Sequence, residues 1–141
     1  MKNRILKNIL IIEDNPGDSF YTKHILKEAE IGEFFTIIED GEEAWEYLEN
    51  CSKGLSNKKP DLIILDIHLP KISGLDLLKD LRQLPALSDT PIIILTVSKE
   101  TKDFISSMVN GAEYYTVKPI SKNEILKITN SIYSLNNKSL K

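Results

Sequence analysis

Asp61-Leu62-Ile63-Ile64-Leu65-Asp66-Ile67-His68-Leu69-Pro70 decides the fold. Four consecutive apolar residues stand between two aspartates. A run this short, and apolar at every position, reads as a strand covered on both faces, the condition of a parallel sheet with helices on either side. Residues 9–12 and 92–95 have the same character. Phe34–Ile38 and Tyr114–Val117 complete a set of five. Phe34–Ile38 carries Thr36 and is flanked by charge, which suits a sheet edge.

Helical patterns fill the gaps. Asn15-Pro16 supplies a cap and a first-turn proline ahead of Tyr21, Ile25 and Leu26. Asp40-Gly41 opens a second helix, with Ala44, Trp45 and Leu48 on its apolar face. Ser73 caps a third, with Leu75, Leu78 and Leu81 in register. A fourth carries Phe104, Ile105, Met108 and Val109, and Gly111 suits its C-terminal stop. A fifth follows Ser121, with Ile125, Ile128 and Ile132. Strand and helix alternate five times. The expected fold is therefore α/β, a (βα)5 doubly wound parallel sheet with right-handed crossovers. Chemistry in such sheets collects at the carboxyl ends of the strands.

The bulk numbers narrow the classes. The chain has 141 residues, 41% hydrophobic and 28% charged, the make-up of one globular domain. A net charge of −3 argues against electrostatic nucleic-acid binding. The single cysteine, Cys51, placed in a polar loop, excludes an intrachain disulfide framework and a Cys-based zinc site, and fits a reducing, cytoplasmic setting. The apolar run at 9–12 is too short for a signal-peptide core or a membrane span. No membrane anchor and no repeat is found.

Polar groups close four of the five runs. The first ends in Glu13-Asp14, the third in Asp66, the fourth in Thr96 and the fifth in Lys118-Pro119. The second ends in Glu39 and Asp40, too far lateral to join them. Three neighbouring carboxylates repel one another unless a cation neutralises them, and oxygen donors with room for water suit Mg²⁺. A carboxylate nucleophile, Mg²⁺, a lysine and a hydroxyl suit phosphoryl transfer, in which charge develops on three equatorial oxygens. Asp66 would attack and become an acyl phosphate. Mg²⁺, Lys118 and Thr96 would each take one oxygen.

These residues resemble the receiver domain of two-component response regulators. The matching segments are Ile11-Ile12-Glu13-Asp14-Asn15, the stretch quoted first with Ser73-Gly74 after it, Pro91-Ile92-Ile93-Ile94-Leu95-Thr96, and Gly111-Ala112-Glu113-Tyr114-Tyr115-Thr116-Val117-Lys118-Pro119. Each piece alone is weak; the four in order are specific. The resemblance implies a flavodoxin-like sheet of strand order 2-1-3-4-5. It also implies Asp66 as phosphoacceptor, Glu13 and Asp14 as the Mg²⁺-binding pair, and the His68 backbone carbonyl as a further metal ligand. Thr96 and Lys118 match the switch hydroxyl and phosphate-binding lysine, Tyr115 the switch aromatic, and Lys118-Pro119 a cis bond. Tyr114 neighbours Tyr115, and alternation sends one to each face of the sheet. Asp14-Asn15-Pro16-Gly17-Asp18 and the polar stretch 50–59 resemble single-domain regulators that accompany phytochrome-type and other sensor histidine kinases. Where the family usually has Ala, Gly, Ser or Thr after the switch hydroxyl, this chain has Val97, expected to narrow access to the pocket.

The implied partner is a sensor histidine kinase, phytochrome-like by the subgroup resemblance. The alternative is a relay that passes the phosphoryl group to a histidine phosphotransfer protein. One receiver domain is expected over residues 1–141, with its core at about 8–135 and no output domain. Output would then be a protein contact, with a homodimer through the fourth helix, fifth strand and fifth helix as one form. Leu126 and Tyr133, off the core stripe, are candidates for that surface.

Other classes fit less well. An aspartyl-phosphate phosphatase usually has a second acid two residues after its nucleophile, where His68 stands here. A flavodoxin-like electron carrier needs a hydroxyl- and Gly-rich phosphate loop after the first strand, where Glu13-Asp14 would repel FMN phosphate. A degenerate receiver would lack part of the acid, hydroxyl and lysine set. His24 reads as a surface helix residue and Trp45 as core or a partly exposed anchor.

Overall fold

The computed structural model of the chain describes residues 6–56 and 58–139, with the side chains of 133 and 135–139 left out. Its strands are β1 (Asn8–Ile12), β2 (Phe34–Ile38), β3 (Leu62–Leu65), β4 (Ile92–Thr96) and β5 (Tyr114–Val117). Its helices are α1 (Pro16–Glu28), α2 (Gly41–Ser52), α3 (Gly74–Leu81), α4 (Thr101–Val109) and α5 (Lys122–Ser139). One unanticipated 3-10 turn, Pro85–Leu87, leads into β4. All strand pairs are parallel, in the order β2-β1-β3-β4-β5.

The two-sided burial read from the sequence is observed. Alternate residues of the three central strands face opposite cores. Leu10, Ile12, Ile63, Leu65, Ile92 and Ile94 meet α2 and α3. Ile9, Ile11, Leu62, Ile64, Ile93 and Leu95 meet α1 and α5. Each such side chain removed from water stabilises the fold by about 1.5–3 kcal/mol. The helix starts follow from their caps. The side chains of Asn15, Asp40, Ser73 and Ser121 each accept a backbone N–H three residues on. Gly111, at φ 103°, follows the C-cap of α4 in a conformation that only glycine adopts without strain.

Four expectations need correction. The apolar residues of α4 face outward: Phe104, Ile105, Met108 and Val109 are all exposed, Val109 by 78%, and the buried residue of that helix is Ser107. Tyr21 is likewise exposed, because the spacing that buries Ile25 and Leu26 turns it toward solvent. Leu126 is partly buried and packs against the α1–α5 core, so it offers less free surface than its position suggested. Cys51 lies in the last turn of α2, buried rather than in a loop, and burial pushes its thiol up, away from reactivity. The Tyr133 side chain lies outside the described residues.

Candidate functional site

Parallel register decides which residues meet. Ile12 pairs with Leu65, Leu65 with Ile94, and Thr96 with Val117. The residues that follow these partners therefore leave the sheet on one rim. Two backbone hydrogen bonds extend the ladder into the site: the Asp66 N–H donates to the Ile12 carbonyl at 3.1 Å, and the Lys118 N–H to the Thr96 carbonyl at 2.8 Å.

Carboxylate oxygens of Glu13, Asp14 and Asp66 lie within 4.8 Å of one another. Glu13 and Asp66 are buried and Asp14 is exposed. The Lys118 ammonium stands 2.5 Å from Glu13 Oε1, 2.8 Å from Asp66 Oδ2 and 2.8 Å from Asp18 Oδ2. An ammonium has three N–H donors, so all three are engaged. Burial raises the Glu13 carboxyl to about 7; the Lys118 hydrogen bond opposes that rise and the charge on Asp66 adds to it. Burial alone would depress the Lys118 ammonium, but its hydrogen bonds to Asp18, Asp66 and Glu13 prevail and hold it above the ordinary lysine range.

The remaining candidates occupy the same rim. The His68 N–H donates to Asp66 Oδ1 at 3.0 Å, while its side chain is exposed. Thr96 is fully buried, and its hydroxyl oxygen accepts the Ser98 N–H at 3.4 Å. Tyr115 donates its hydroxyl to the Ser98 carbonyl at 2.9 Å and meets Phe104 edge-on, with ring centroids 5.6 Å apart. Tyr114 packs toward the opposite core, as alternation requires. Lys118-Pro119 is cis. Val97 is 62% exposed beside Thr96. Asp40 and Glu39 stay apart, Asp40 capping α2 and pairing with Lys71 at 3.5 Å. His24 pairs with Glu28 on the surface of α1.

Two contributors, quoted in the sequence only as parts of matching segments, had no role assigned to them there. Asp18 is the third acceptor of Lys118; the available signal was an acid in the first turn of a helix that begins just after Glu13-Asp14. Gly74 is the other. A Cβ there would sit 2.2 Å from the Asp66 carbonyl oxygen and 2.5 Å from Ile67 Cα, so only glycine lets α3 start against that peptide.

The cluster fits a hard divalent cation. Its donors are all oxygen, two of the three acids are buried, and one ammonium brings a single positive charge to three carboxylates. Fold and site together define a flavodoxin-like α/β domain with an acidic, lysine-bearing rim. Residues 9–130 match the response regulator receiver domain, and the chain belongs to that family of two-component systems. Receiver domains act as phosphoacceptor switches rather than as turnover enzymes.

Individual relatives agree. Response regulator Rcp1 of Synechocystis sp. is 31% identical over 128 residues, covering 91% of this chain and 87% of that protein. The crystal structure of the Mn²⁺-bound form of Rcp1 matches with a TM-score of 0.74 at 30% identity, covering 88% of this chain and 90% of that one. The phosphorylated cyanobacterial phytochrome response regulator RcpA matches with a TM-score of 0.75 at 28% identity, covering 90% and 91%. The phosphate regulon transcriptional regulatory protein PhoB of Rhizobium meliloti is 37% identical over 122 residues, but the chain spans only 50% of its length. Among the described residues no helix is long and apolar enough to cross a membrane.

Proposed function

We propose that the chain accepts a phosphoryl group on Asp66 from the phosphohistidine of a sensor kinase. One observation carries this reading. The Asp66 carboxylate accepts from the Lys118 ammonium at 2.8 Å and shares an oxygen cluster with Glu13 and Asp14, on a rim where Thr96 ends the neighbouring strand. A carboxylate oxygen of Asp66 attacks phosphorus. The N–P bond of the donor breaks, and the imidazole nitrogen keeps the electron pair and takes up a proton. Lys118 and Thr96 hold phosphoryl oxygens as their charge develops. Glu13, Asp14, Asp66 and the His68 carbonyl would hold Mg²⁺, which supplies charge neutralisation when bound. Hydrolysis of the acyl phosphate by the same groups sets the lifetime of the signal.

Phosphorylation shifts a two-state equilibrium through Thr96 and Tyr115. The contact of Tyr115 with Ser98 and its packing against Phe104 support this, because they join the rim to α4. The exposed apolar side of α4 supports output through α4, β5 and α5, to a partner protein or a second copy. The similarity to RcpA, a cyanobacterial phytochrome response regulator, favours a phytochrome-type kinase. The single sheet with its two cores supports reading residues 8–135 as one receiver unit.

Incubation with acetyl phosphate and Mg²⁺, followed by intact-mass measurement, tests the proposal. One added phosphoryl group is expected, and none in Asp66→Asn. Label that persists in Asp66→Asn would sink the assignment. A relay role would appear as loss of label from Asp66 on adding a histidine phosphotransfer protein.

A further inference from the structure

Resting on the reading of Asp66 as phosphoacceptor, we propose that Asp18 is a positioning residue that holds the Lys118 ammonium over Asp66. Lysine carries a point charge on a flexible four-carbon stem, so an active lysine must be located by its acceptors. Two of the three acceptors, Glu13 and Asp66, belong to the carboxylate cluster that cation binding and phosphorylation reorganise. Asp18 lies outside that cluster. It is the acceptor that stays available when Asp66 becomes an acyl phosphate.

The local structure suits this role. Asp18 sits in the first turn of α1, with its N–H donated to Asn15 Oδ1 at 3.1 Å. Its position along the helix is therefore set by the cap and not by Lys118. An anionic side chain is favoured there by the helix dipole. The contact joins residues 100 apart in sequence and ties α1 to the loop after β5. The pair also forms one wall of a cavity of about 320 Å³, completed by Tyr21, Thr22, Leu95, Pro119 and Ile120. Without Asp18 the third N–H of Lys118 would face that cavity and its water, and the ammonium would be free to swing away from Asp66. A purely helix-terminal role for Asp18 would leave Lys118 where it stands. The Asp18 side chain is 43% exposed and the Lys118 side chain 12%, so solvent reaches the pair from the Asp18 side.

A graded series tests the proposal: Asp18→Glu, Asp18→Asn and Asp18→Ala. The first readout is the ¹⁵N NMR signal of the Lys118 ammonium, which survives hydrogen exchange only when its N–H groups are held. The second is the rate of phosphorylation by acetyl phosphate at saturating Mg²⁺, and thermal melts confirm folding. In Asp18→Ala the ammonium signal is expected to broaden away and the rate to fall roughly tenfold. Asp18→Asn keeps an acceptor without charge and falls between, and Asp18→Glu recovers part of both. An Asp18→Ala protein that keeps the ammonium signal, or phosphorylates at the wild-type rate, overturns the proposal. A wild type that takes no phosphoryl group on Asp66 overturns the receiver reading itself, a result distinct from wild-type behaviour in the variant.

Discussion

The Tyr115 hydroxyl donates to the Ser98 carbonyl at 2.9 Å, and this contact links the last strand to the loop after β4. Ser98 also sends its N–H to the Thr96 hydroxyl and its own hydroxyl to Asp103 in the first turn of α4. One loop residue thus touches the Thr96 hydroxyl, the Tyr115 hydroxyl and the outward-facing helix.

Tyr115→Phe removes that hydrogen bond and keeps the ring against Phe104. A loss of about 1 kcal/mol is expected in urea unfolding, with an unchanged slope. Amide exchange should quicken over residues 97–100 and hardly elsewhere. Protection there equal to wild type would show that the contact does not restrain the loop.

Glu13 gives a pH prediction. Its folded-state carboxyl is raised from 4.5 to about 7, so the folded protein holds a proton that the unfolded chain releases. Stability without divalent cations therefore falls as pH rises from 4.5 to 7, and stays low above that. Glu13→Gln escapes the penalty. In EDTA it should be more stable than wild type at pH 8, by on the order of 3 kcal/mol, with the gap closing below pH 4.5. Denaturant unfolding at several pH values measures this, and a constant gap would contradict it.

Asp14 is exposed, yet it completes the carboxylate cluster. Mg²⁺ at a hundredfold its dissociation constant should stabilise wild type by about 2.7 kcal/mol. Asp14→Ala should melt like wild type in EDTA and lose most of the Mg²⁺-induced rise. A full rise in the variant would place the ion elsewhere.

Arg82 works at the opposite end of the sheet. Its guanidinium donates to the carbonyls of Gly111, Leu87 and Thr90 at 2.7–2.9 Å, joining α3, the turn before β4 and the end of α4. Arg82→Lys keeps the charge but cannot span three carbonyls. A loss of about 3 kcal/mol in chemical denaturation is expected, with phosphorylation of the folded fraction unchanged.

Val97 stands exposed beside Thr96. Val97→Ala should take phosphate from acetyl phosphate faster than wild type, with equal Mg²⁺ affinity. Equal rates would remove any gating role for the branched side chain.

The strands and most helix starts could be read directly, because two-sided burial and capping are local. Leu62–Leu65 has no polar position to expose, and Asn15, Asp40 and Ser73 cap helices through contacts three residues away. The acids, Thr96 and Lys118 were legible because each closes a strand. What escaped depends on partners distant in sequence. Nothing near α4 states that the residue it buries is Ser107 and not Phe104 or Ile105. Asp18 gains its meaning from a lysine 100 positions away, and Arg82 from carbonyls of two other segments, the turn before β4 and the end of α4. Cys51 looked like loop because the polar stretch hides the last helical turn that buries it.

Gly74 bears no functional group, yet α3 begins against the peptide of Asp66 only because position 74 carries a lone hydrogen. A methyl there would push on the backbone that carries the Asp66 carboxylate, without touching any acidic, hydroxyl or amine side-chain group. In a screen for signal-dead but well-folded variants, Gly74 substitutions should therefore surface among the acids, as lesions of shape with the phenotype of lost chemistry.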